Sequence, residues 1–266
     1  MQGFGVTVLR MQRLGINQGG YRGERIDVHH LLPRLEEAAR RQGWQVNKIP
    51  VGDGRDLLAL HRPVANPRRT VYVSAGIHGD EPAGPLAAHA LLEEDQWPAD
   101  TAIWLCPCLN PAGLERNLRG NADGTDLNRD YRDPQSPEVR AHVRWLDAQP
   151  AFDFALCLHE DWEAHGFYAY EINPEGRPSL AARIVRAVST ICPIDQSATI
   201  DGWAAHSGVI IPNLDPDTRP QWPEAIYLSK TRTRQTCTLE APSDFPLQLR
   251  VQALVTGVRA ALQAES

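Results

Sequence analysis

Thr70-Val71-Tyr72-Val73-Ser74-Ala75 runs directly into Gly76-Ile77-His78-Gly79-Asp80-Glu81, and this junction decides how the chain is read. The first six residues are β-branched, aromatic or small without strict alternation, as in a strand covered on both faces. Gly76 then lets the backbone bend sharply, and a helical pattern follows over Glu81–Glu94. Three further runs share the character of the first: Thr101–Cys106 (TAIWLC), Phe152–Leu158 (FDFALCL) and Thr236–Leu239 (TCTL). Helical patterns surround them at Ile26–Gly43, with Gly43 as its stop, and at Pro137–Gln149, with Ser136 as N-cap. Two more follow at Pro178–Ile191 and Leu247–Gln263. Alternation of this kind implies an α/β fold: a doubly wound, mixed but mostly parallel sheet with helices on both faces. In such sheets ligands bind in the crevice outside the carboxyl ends of the strands.

The 266 residues are 42% hydrophobic and 23% charged, enough for one large domain with an ordinary core. The expectation is a single domain over 1–266, with an irregular excursion at about 195–234 that holds Pro212, Pro216, Pro220 and Pro223. A formal charge of −6 with scattered Lys and Arg argues against nucleic acid or an anionic membrane surface as partner. No apolar stretch is long enough to span a bilayer, and the N-terminus (MQGFGVTVLRMQRLG) lacks the apolar region of a secretory signal. The five Cys form no C-x-x-C pair and read as small buried hydrophobes. A reducing cytoplasm is the expected location.

His78 and Glu81, three residues apart in a tight turn, can reach one ion, although a solvated loop explains the pair alone equally well. The third strand-like run ends in Leu158-His159-Glu160-Asp161, which places His159 on the same sheet edge as His78. A core histidine with a satisfied hydrogen bond is the alternative. Two nitrogens and one carboxylate would leave a fourth position open, as in a catalytic zinc site. Glu240 ends the last run in Thr238-Leu239-Glu240, where a carboxylate beside a metal can take a proton from water. Between the second and third runs lie Asn110-Pro111-Ala112-Gly113 and the polar stretch from Arg119 to Arg129. Its arginines and asparagine suit a substrate carboxylate; a surface loop tied by Asx-turns is the other reading.

The succession H-x-x-E, N-P-x-G, R-x-N-x-x-G-x-D-x-N-R, an apolar strand ending in His, and T-L-E resembles the zinc carboxypeptidases of the M14 type. It is similar above all to their compact bacterial branch, with murein-peptide amidases, and more distantly to succinylglutamate desuccinylase and aspartoacylase. The resemblance covers about Thr70 to Pro242 and implies a zinc carboxypeptidase-like fold with one Zn2+ per chain. It makes His78, Glu81 and His159 the zinc ligands and Glu240 the general base and acid. Arg119 matches the arginine that stabilises the oxyanion, Asn128 and Arg129 the pair that grips the substrate's carboxylate, and Asp126 the carboxylate that orients the first His.

The implied activity is a zinc metallocarboxypeptidase that hydrolyses the amide bond of a C-terminal residue of a small peptide. The alternatives are an N-acyl amino acid deacylase, which also takes a substrate with a free carboxylate, and a catalytically silent metal-binding domain. Two departures stand out. Glu160-Asp161 follow the third ligand where the digestive enzymes have Ser-Tyr. For their capping tyrosine, shortly before the general base, Tyr227 lies in roughly the corresponding region, with Tyr168 and Tyr170 elsewhere and no alignment fixed by the motif. Several carboxylates after His159 (Glu160, Asp161, Glu163 and Glu171) suggest recognition of a cationic substrate group, or else a solvated acidic face.

Overall fold

A computed structural model describes residues 12–52, 55–213 and 215–263. The leader reading rests mainly on residues 1–11, outside the described residues. In chain order the elements are α1 (Val28–Arg41), β1 (Gln45–Pro50), β2 (Asp56–Arg62), β3 (Arg69–Ala75), α2 (Ala83–Glu94), β4 (Thr101–Cys106) and α3 (Pro111–Arg116). There follow α4 (Pro137–Asp147), β5 (Phe154–Asp161), β6 (Tyr168–Ile172), α5 (Leu180–Val188), β7 (Thr199–Ile200), β8 (Trp203–Ala204) and β9 (Val209–Ile210). The last three are α6 (Glu224–Thr231), β10 (Thr236–Pro242) and α7 (Leu247–Leu262).

Eight strands form one sheet in the order β1-β2-β4-β3-β5-β10-β6-β9. The centre, β4-β3-β5-β10, is parallel throughout, β1 and β2 pair antiparallel with their neighbours, and β6 runs antiparallel to β10 but parallel to β9. The chain leaves β3 through α2 to β4 on one side and returns to β5 on the other. The strand order therefore reverses at β3, where a crevice opens at the carboxyl edge.

Strand alternation assigns each side chain to one of two cores. Val71, Val73 and Ala75 of β3 pack with Phe154, Leu156 and Leu158 of β5 under α1, α2, α5 and α7. Tyr72, Ala155 and Cys157 face the other side, with Val139 and Leu146 of α4 and Leu228 of α6. Each fully buried Leu or Val contributes about 1.5–3 kcal/mol relative to exposure, so shifting β5 by one residue would exchange both cores at large cost. All five Cys are free and buried. Among the described residues no helix is long and apolar enough to cross a membrane.

The sheet has strands that the sequence reading lacks. β1 is a polar edge strand with one buried side chain, Ile49, so it has no hydrophobic signature. The stretch 195–234 holds a small hairpin (β7 with β8), the edge strand β9 and α6. The third run also extends past Leu158 to Asp161, which puts His159 inside the strand.

Candidate metal centre

Gly76 leaves β3 at φ +62°, and a Cβ there would lie 2.8 Å from the Pro85 side chain. Gly79 lets the His78 loop touch α3, since a Cβ would sit 2.0 Å from the Gly113 backbone. The Asn110-Pro111-Ala112-Gly113 segment is the clasp. Asn110 caps α3 by accepting from Gly113 N at 2.9 Å, and its amide donates to the carbonyls of Ile77 and Arg119. One asparagine thus ties the His78 turn to the Arg119 loop.

His78, Glu81 and His159 are buried together, and their candidate ligand atoms lie within 4.8 Å of one another. His78 Nδ1 is 2.5 Å from Glu81 Oε1, and His159 Nδ1 is 2.9 Å from Glu81 Oε2. His78 Nε2 donates to Asp126 Oδ1 at 3.2 Å, which fixes the ring so that Nδ1 faces Glu81. Burial works to lower the His78 pKa, but Glu81 outweighs it and pushes the imidazole up to about 9. Burial likewise works to raise Glu81, while the charges of His78 and His159 hold it well below the usual carboxylate range. The site draws positive charge, and two imidazoles with one carboxylate are a donor set that fits a borderline-soft divalent ion.

Glu240 lies across the β5–β10 ladder, paired in register with His159. Leu239 and Ala241 enter the helix-covered core, so Glu240 points the opposite way, into the cavity with Thr236 and Thr238. Burial drives its carboxyl well above the ordinary value, against the pull of His159. No hydrogen bond reaches it among the described residues, and part of its surface stays open to the cavity.

Arg119, Asn128 and Arg129 line the same cavity of about 530 Å³. Arg119 Nε donates to Asp126 Oδ2 at 3.0 Å, and its guanidinium comes within 3.9 Å of Glu81. Asn128 Oδ1 accepts from Glu224 N at 2.8 Å. Arg129 donates to the neighbouring Asn128 carbonyl at 2.9 Å. The loop is also tied by Asx-turns: Asn121 Oδ1 accepts from Asp123 N and Thr125 N, and Asp126 Oδ1 accepts from Asn128 N.

Two sequence expectations change. Glu160 offers no free carboxylate to a cationic group; alternation sends its side chain under α2 and α7, where it is buried and pairs with Arg250. Tyr227 donates to Asp147 at 3.0 Å and lies outside the cavity, whereas Tyr168 and Tyr170 line it. Tyr168 pairs in register with Glu240 and donates to Asp161. The alternating Tyr168-Ala169-Tyr170 pattern was the available signal.

A second buried polar set lies behind Asn128. Tyr72 and Ser74 donate to Glu224, and both nitrogens of His142 meet tyrosine hydroxyls, Tyr72 at 2.8 Å and Tyr131 at 2.7 Å. Burial pushes His142 down to about 3, so the ring is neutral. Tyr72 gives its proton to Glu224, hence Nε2 of His142 donates to Tyr72 and Nδ1 accepts from Tyr131.

Residues 67–202 match the family model described as succinylglutamate desuccinylase/aspartoacylase catalytic domain. The chain is 31% identical over 103 residues to murein peptide amidase A of Escherichia coli (strain K12), across 39% of this chain and 42% of that relative. Among solved structures it resembles a candidate metallopeptidase from Shewanella amazonensis, with TM-score 0.77 and 23% identity over 89% of this chain and 92% of that one. A metallo-carboxypeptidase from Burkholderia cenocepacia superposes with TM-score 0.67 and 18% identity, covering 90% and 68%. These two likenesses establish the fold. The matched stretch holds His78, Glu81, Arg119, Asp126, Asn128, Arg129 and His159, and with it the chain belongs to the succinylglutamate desuccinylase/aspartoacylase catalytic-domain family, a family of hydrolytic enzymes.

Proposed function

We propose that the protein is a zinc-dependent carboxypeptidase acting on a small peptide, with His78, Glu81 and His159 as metal ligands. The carrying observation is that Glu240, unpaired and facing the cavity, stands in register beside His159 at the edge of the ligand cluster. When bound, zinc supplies Lewis acidity, which acidifies water and polarises the scissile carbonyl.

Glu240 takes the proton from the attacking water and delivers it to the leaving amine. Facing the cavity beside His159, its carboxyl can hold the proton between the two transfers. Arg119 donates to the carbonyl oxygen as negative charge develops there. Asp126 anchors both His78 and Arg119, so one carboxylate orients a ligand and the oxyanion donor. Asn128 and Arg129 hold the substrate's terminal carboxylate, the guanidinium matching it in shape and charge.

A second reading is supported by the family match itself: hydrolysis of an N-acyl amino acid, which presents the same carboxylate beside an amide. Assaying short peptides beside N-acyl amino acids, before and after chelation and zinc readdition, tests both. Turnover of peptides that disappears on chelation and returns with zinc is expected. Turnover confined to N-acyl amino acids would replace the first reading with the second. Stoichiometric zinc without turnover of either class would mean a binding module.

A further inference from the structure

The residue after the third candidate ligand carries a contact chain that leaves the site on its far side. Glu160 is buried, and its backbone N–H donates to Glu81 Oε2 at 3.1 Å. Its own carboxylate accepts from Ala83 N at 2.5 Å, from Ser243 Oγ at 3.3 Å and from Arg250 Nη1. Ala83 opens α2 two residues after Glu81. Glu160 therefore grips Glu81 twice, at its carboxylate and at the helix start that follows it.

Arg250 is the bulkiest side chain that is fully buried among the described residues. A guanidinium in that position needs nearly all its donors filled, and the partners are found. Nε donates to the Phe245 carbonyl at 2.9 Å, Nη2 to Glu24 at 2.5 Å, and Nη1 to the Tyr21 hydroxyl at 3.4 Å as well as to Glu160. The Arg250 guanidinium also lies 5.7 Å from the Tyr21 ring centroid, and the Tyr21 hydroxyl donates to Glu24 at 2.9 Å. The N-terminal segment thus completes a charge cluster whose other end is the candidate metal ligand.

We infer that Glu160, clamped by Arg250, is a positioning residue for Glu81, and that Tyr21 and Glu24 of the N-terminal segment help set metal affinity through it. This rests on the reading of His78, Glu81 and His159 as metal ligands. A ligand carboxylate free to swing binds weakly, and the partners that hold such ligands typically contribute about 10–100-fold in affinity.

The test is a zinc titration of the metal-free full chain against a competing chromophoric chelator, with thermal unfolding of the same metal-free samples. Glu160→Gln and Arg250→Gln are expected to weaken zinc by about 10–100-fold, Glu24→Gln by less. The double variant Glu160→Gln/Arg250→Gln should lose no more than the worse single one, because both act on one contact. A purely structural role would lower the metal-free melting temperature and leave affinity unchanged, and that result would overturn the inference. Should the two buried variants fail to fold, Glu24→Gln decides alone, and wild-type affinity there also overturns it. A wild-type chain that binds no zinc would instead overturn the metal reading and this inference with it.

Discussion

Glu240 and His159 are register partners on neighbouring parallel strands, and alternation turns both side chains to the same cavity. The spacing between the proposed base and the candidate ligand is thus set by the backbone ladder of β5 and β10. Glu240→Gln preserves shape and removes the base. It should retain bound zinc and lose about 10²–10⁴ in kcat. Metal content and turnover measured on one preparation check this, and near wild-type turnover would remove Glu240 from the mechanism.

Arg129 lines the cavity and makes no ion pair among the described residues, and it donates to the Asn128 carbonyl. Its charge is available to a substrate. Arg129→Gln should raise KM by about 10–100-fold, in line with the 1.5–3 kcal/mol of a charged hydrogen bond, with a much smaller change in kcat. Comparing a peptide with its C-terminal amide gives the control: the variant should discriminate between them less than the wild type. Equal discrimination would assign the carboxylate to another residue.

The neutral ring of His142 links Tyr131 to Tyr72 in the core behind Asn128. His142→Phe fills similar space but leaves the Tyr131 hydroxyl buried without a partner. A loss of about 1–3 kcal/mol in unfolding free energy is expected, read by denaturant titration. Zinc affinity should not change, since the ring touches no ligand. An unaltered stability would mean that water or a rotated hydroxyl replaces the bond.

Asp244 accepts from the backbone N–H of Gly15, Ile16 and Asn17 and from Arg13 Nε. Burial works to raise its pKa, but the three N–H groups and Arg13 outweigh it and hold the carboxyl below the ordinary value. A depressed folded-state pKa gives stabilisation that is fully present above the unfolded value of about 3.9 and fades as pH falls through the folded one. Asp244→Asn should therefore be less stable by about 2 kcal/mol at neutral pH. The gap between variant and wild type should close below about pH 4. A gap independent of pH would show that the loss comes from packing and not from charge.

Much of the site could be read from residue order alone. The four central strands, the helices α1, α2, α4, α5 and α7, and the edge on which His78, His159 and Glu240 gather follow from hydrophobic pattern and turn chemistry, which are local. The parallel order was legible because strands separated by helices have few ways to pair. β1 left no such trace, because an exposed edge strand with one buried side chain has no periodicity to detect. The Pro-rich stretch concealed α6, whose N-terminus holds Asn128 through Glu224.

What only the tertiary structure decided is which way each polar residue faces. Glu160 and Asp161 are neighbours in sequence, yet the pleat sends Asp161 toward Tyr168 at the cavity and Glu160 to Arg250, ninety residues away. A pattern of residue types carries the chemistry a chain can perform. The partner each charge finds is settled by strand register and by the helix packed above it, and those are properties of the whole fold.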